Sequence, residues 1–88
     1  MRGSGGYSPD FKQRRRPLVE ELGGDALAVR AANALLEQMD IASLDDLWAR
    51  YDRQGPVVFG YEIRDLRHVG PLIHERIIER VMAREPGR

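Results

Sequence analysis

The sequence predicts an all-α fold of about five short helices arranged as two helical hairpins. Three observations carry this reading. Apolar residues recur at the helical period in Leu27, Ala31, Ala34 and Leu35, and again in Ile73, Ile77, Ile78 and Val81. Helix-start residues precede these runs and the one between them: Asp25, Ser43 and Pro71. No segment reads convincingly as a strand.

Met1 to Gly6 is flexible by composition, and Lys12-Gln13-Arg14-Arg15-Arg16 is a basic cluster directly before Pro17. Together they predict a flexible basic arm over 1–16, followed by a single helical domain over 17–85 and a short tail, 86–88. Pro17 suits the first turn of a helix, with Leu18, Val19 and Leu22 following at helical spacing until Gly23-Gly24. Asp25 is the expected N-cap of the next helix, which reaches Met39 and carries several alanines that permit close helix packing. Asp40 breaks the pattern and Ile41 turns back toward the core.

Ser43-Leu44-Asp45-Asp46 has the form of a capping box with aspartate in its closing position, opening a helix through Leu47, Trp48 and Tyr51. Asp52 to Gly60 is the loosest region, punctuated by Gly55-Pro56. Within it Val57-Val58-Phe59 reads either as a packed extended segment or as an exposed contact patch. Tyr61 to Arg67 forms a short helix carrying Ile63 and Leu66. Gly70 then permits a sharp turn, and Pro71 opens a last helix to about Arg84, stopped by Pro86-Gly87.

Composition narrows the function classes. The 88 residues make one small domain, and a folded part of about 65–70 residues is marginally stable on its own. Fourteen basic residues balance fourteen acidic ones, so no global field draws the chain to DNA or an anionic membrane. Charge is nevertheless uneven: residues 1–24 and 53–88 are mildly basic and 25–52 acidic. Lys12 is the only lysine, which fits either genomic composition or a preference for arginine at bidentate phosphate contacts. Cysteine is absent, excluding disulfides and thiolate metal sites. No apolar run approaches the ~18 residues of a membrane helix, and the start lacks a signal-peptide core. The expectation is a cytoplasmic protein with no membrane partner.

No catalytic constellation is present: no Ser–His–Asp or Cys–His arrangement, no phosphate loop, and no paired carboxylates in an apolar setting. His68 and His74 match no metal-ligand spacing. The chain is therefore expected to be a non-enzyme without cofactor or metal. Trp48 and Tyr51 read as core-closing aromatics, with Trp48 alternatively an exposed anchor for a partner. Arg76, Arg80 and Arg84 recur every four residues, as a solvated stripe or as an extension of a nucleic-acid surface from Arg64 and Arg67.

From Asp25 to Arg84 the chain resembles the C-terminal domain of the bacterial RNA polymerase alpha subunit. The resemblance rests on Ala28-Val29-Arg30-Ala31-Ala32-Asn33-Ala34-Leu35, on Ile41 and Ser43-Leu44-Asp45-Asp46-Leu47, and on Leu66-Arg67-His68-Val69-Gly70. Several residues around Tyr51 to Gly60 look inserted. The resemblance implies two orthogonally packed hairpins, helix-hairpin-helix-like in plan, also shared by sterile-alpha-motif domains. It further implies that Arg30 and Asn33 enter the minor groove of A+T-rich DNA, while amides at the Gly70 turn hold phosphate.

The chain departs from that family where Pro71, Leu72 and Ile73 replace polar phosphate contacts. Two functions follow as expectations. In the first, a DNA-binding, transcription-associated domain uses Arg30, Asn33 and Gly70, with Lys12, Arg14, Arg15, Arg16, Arg67 and Arg76 on phosphates of double-stranded DNA. In the second, an adaptor on the same scaffold grips a protein, RNA polymerase among the candidates, through Leu72, Trp48 or Phe59.

Overall fold

Ser8, Pro9 and Asp10 begin the first helix of the computed structural model, which describes residues 7–84. The Ser8 hydroxyl accepts from the Phe11 amide (3.1 Å), Pro9 occupies the first turn, and Asp10 faces the positive end of the helix. This helix, α1 (Pro9–Glu21), corrects the expectation of a flexible arm: residues 9–16 are helical, and Pro17 lies inside the helix instead of opening it. Proline there removes one backbone donor, but Leu18 and Leu22 are fully buried and hold the helix on the core. The part of the expected arm over residues 1–6 lies outside the described residues, as do the 86–88 tail and the Pro86-Gly87 stop.

α2 (Ala26–Met39) begins where expected, the Asp25 carboxylate accepting from the Ala28 amide at 3.0 Å. Its alanines at 28, 31, 32 and 34 are buried, so neighbouring backbones approach closely. Asp40 ends it in the left-handed region (φ 56°), and the Ile41 amide donates back to the Leu35 carbonyl. α3 (Leu44–Gln54) is opened by the expected box with one shift. Ser43 Oγ accepts from the Asp46 amide, while the Asp46 carboxylate reaches back to Ala42 instead of Ser43.

Residues 52–60 are not a loop. α3 runs to Gln54, Gly55 (φ 86°) turns the chain, and α4 (Pro56–Arg64) starts at the proline. α5 (Pro71–Met82) follows, with Ile73, Ile77 and Val81 buried and its end two residues earlier than expected. The described residues thus form five helices and no strand, a small all-α bundle. α2 packs on α1 and α5; α3 packs on α1, α4 and α5; α4 also packs on α5. Their shared core is led by Phe59, Leu18, Leu22, Leu35, Leu47, Ile63 and Ile77. None of these helices is long and apolar enough to cross a membrane.

Candidate nucleic-acid interface

The groove between α2 and the start of α5 collects residues far apart in sequence. Arg30, Asn33 and Glu37 line it from α2, Arg67 and His68 from the turn after α4, and Gly70, Pro71 and Leu72 from the start of α5. Its volume is about 550 Å³, and Tyr7 also lines it. Arg30 and Asn33 share a face because they are three residues apart on α2. Arg30 is exposed and makes no ion pair among the described residues.

Gln38 sets the position of the turn. Its amide oxygen accepts from the Arg67 N–H (2.8 Å) and its amide nitrogen donates to the Arg67 carbonyl (2.9 Å). The Arg67 backbone is thereby fixed against α2, and Arg67 lines the groove. The pairing of Gln38 with a peptide group 29 residues away has no local signal in the sequence.

The turn differs from expectation in which residue bends. His68 takes the left-handed conformation (φ 65°), whereas Gly70 has φ −84° and extended ψ, open to any residue. Gly70 instead serves as the N-cap of α5 and lacks a side chain to cap it. The amides of Leu72 and Ile73, in the first turn, have no partner within the helix and add positive potential to this wall.

α1 brings one cation, Arg15, against the groove residues Asn33 and Tyr7. Arg15 donates to the Asn33 side-chain oxygen and lies over the Tyr7 ring (5.8 Å), which stacks on Phe11. Arg14 pairs with Asp40 at 3.3 Å in an exposed contact, while Lys12 and Arg16 are exposed on α1. These four belong to a helix, so their spacing is fixed instead of adapting along a strand of nucleic acid. Glu37 is the carboxylate on the groove wall; Asp45 and Asp46 stand at the start of α3, outside it.

Two candidate residues are engaged within the fold. Arg76 acts as a structural clasp: its guanidinium is engaged by both Asp25 carboxylate oxygens (2.8 and 3.0 Å) and the Leu22 carbonyl (2.9 Å). These hydrogen bonds hold the Asp25 carboxyl at about 2, below its ordinary 3.8, with the Ala28 amide assisting, and push Arg76 upward. Phe59 is fully buried, edge-on to Tyr51 (5.3 Å), so no partner reaches it without unfolding. The helical turn puts it inward and leaves Val57 and Val58 exposed.

Trp48 and Leu72 face different surroundings. Trp48 is half-buried on the side carrying Leu44 and Arg84, and the Arg84 guanidinium covers its ring at 5.4 Å. Arg84 also binds Asp52 through two hydrogen bonds (2.7 and 3.0 Å), which lower the Asp52 pKa. The Arg76–Arg84 stripe is therefore largely committed to fastening α5. Leu72 is 68 % exposed on the groove wall.

The fold and this groove define a small all-α domain with a basic, partly apolar cleft. Comparison with known protein families, curated proteins and solved structures finds no match.

Proposed function

We propose that the chain is a non-catalytic, helix-hairpin-helix-like domain, akin to the polymerase alpha C-terminal domain, that binds double-stranded DNA through the α2–α5 groove. One observation supports this above others: Arg30, Asn33, Arg67 and the open amides of α5 converge on one cleft. Arginine reaches into a narrow minor groove, asparagine hydrogen-bonds a base edge or phosphate, and helix-start amides donate to an anion. The basic side chains of α1 extend the positive rim toward a second stretch of backbone. Pro71 and Leu72 make the cleft less polar, so affinity rests on a few charged contacts and falls steeply with salt.

The exposure of Leu72 beside Pro71 favours a second reading, a transcription-associated adaptor that seats an apolar side chain of a protein such as RNA polymerase in the same cleft. Fluorescence anisotropy with short A+T-rich and G+C-rich duplexes across a salt series separates the two. The DNA reading expects salt-sensitive binding, lowered about tenfold or more by Arg30→Ala, the size of one charge-assisted contact. No binding at low salt overturns it and directs the search to polymerase subunits.

A further inference from the structure

A face that adjoins the groove, sharing Pro71 and Leu72 with it, carries further features on α4 and α5. On α4, Val57, Gly60, Tyr61 and Arg64 fall at spacings of three and four and line one shallow depression with His74. On α5, Pro71, His74, Glu75 and Ile78 repeat that spacing and line the adjoining one. His74 belongs to both, so the two stripes form a continuous surface across packed helices. Val57 is 68 % exposed and Tyr61 53 %.

Gly60 is the informative residue. A Cβ there would meet nothing within 4 Å, and its backbone is not in the left-handed region. Neither space nor conformation within one chain calls for glycine, although glycine is among the poorest helix formers. Its position at the centre of an exposed apolar stripe lets another backbone approach closely.

We propose that this face is a self-association surface, on which a second copy packs about a two-fold axis with α4 of each protomer against α5 of the other. Charge selects a second copy over other occupants. Arg64 is held on the α4 side over the Tyr61 ring (4.6 Å), and Glu75 and Glu79 stand on the α5 side. A two-fold axis sets each cation opposite the other copy's carboxylates, twice, which is the self-complementarity of an isologous contact.

The area sets the strength. Helices of nine and twelve residues present roughly 300 Å² in projection at ~1.5 Å rise and ~10 Å width each. That is well below the ~800 Å² per partner of a standard interface, so the dimer forms weakly and populates only at high protein concentration.

Sedimentation equilibrium of the full chain from about 5 to 500 μM tests this. The expected result is a mass rising from one chain toward two. Tyr61→Glu keeps the chain monomeric with unchanged helical circular dichroism. Gly60→Ala raises the thermal midpoint of the dilute chain yet weakens association about tenfold, a combination that a purely internal role cannot produce. Arg64→Glu weakens the dimer, and adding Glu75→Arg restores it. A chain that stays monomeric at the top concentration, that aggregates without saturating at two, or whose Gly60→Ala and Tyr61→Glu variants associate unchanged overturns the proposal. None of the four substituted positions lines the α2–α5 groove, although Pro71 and Leu72 line both surfaces, so duplex anisotropy on the monomeric Tyr61→Glu chain reads DNA binding apart from self-association.

Discussion

Arg76 grips Asp25 across 51 residues, at 2.8 and 3.0 Å, while one of the same guanidinium nitrogens donates to the Leu22 carbonyl. One side chain of α5 thus holds the α1–α2 turn and the N-cap of α2 together. The consequence is a testable division of labour. Arg76→Gln lowers the thermal midpoint by several degrees but leaves duplex affinity and its salt slope unchanged, as measured by melting and anisotropy.

The same pair gives the fold an acid dependence. Asp25 is depressed from 3.8 to about 2, so its contribution is fully present above the unfolded value and is lost as pH falls through the folded one. The Asp52 carboxyl, lowered by Arg84, acts in the same direction. Urea titrations between pH 5 and pH 2 are expected to show stability falling mainly below about pH 4, with a shallower fall in Asp25→Asn.

Gly23 lies beside the clasp with φ 123°, where a Cβ would come within 2.7 Å of Arg76 Nη1. Gly23→Ala therefore strains the backbone and displaces the guanidinium from Asp25. A loss of about 1–3 kcal/mol in chemical denaturation is expected from the backbone alone. An unchanged midpoint would mean that the turn relaxes.

His68 is the opposite case, a side chain where the backbone favours glycine (φ 65°). His68→Gly is expected to stabilise the turn by about 0.5–1 kcal/mol at equilibrium. Destabilisation would show that the imidazole makes a contact that outweighs the strain.

Phe59→Ala tests the reading of α4. A fully buried ring at the centre of the core is expected to cost about 3–5 kcal/mol, enough to unfold much of so small a domain. Val58→Ser, at a neighbouring exposed position, should leave the melting curve almost unchanged. Equal effects would contradict the inward orientation of Phe59.

In the groove, Arg30→Ala combined with Arg67→Ala should flatten the dependence of log affinity on log salt by about 2 units, near 0.9 per phosphate contact. A slope that stays as steep would place the phosphate contacts on α1.

The sequence by itself determined what neighbouring residues decide. The caps Asp25 and Ser43, the start of α5 at Pro71, and the buried faces of α2 and α5 all follow from side chains three or four residues apart. Hydrogen-bond reach and helical period are local, so they are visible in the chain. The placement of Arg30 and Asn33 on one face followed the same way. The start of α1 was legible too, in Ser8-Pro9-Asp10, but the run of basic residues and Pro17 concealed it.

Only the tertiary structure decided which charges are spent on the fold. Arg76 and Arg84 look like Arg30 and Arg67 in sequence, yet the first two meet Asp25 and Asp52 and the others line a groove. Phe59 looked available beside Val57 and Val58, but the turn at Gly55 rotates it alone into the core. Gln38 finds a peptide group 29 residues away. These outcomes depend on where distant helices cross, a property of the packed chain that no local spacing encodes.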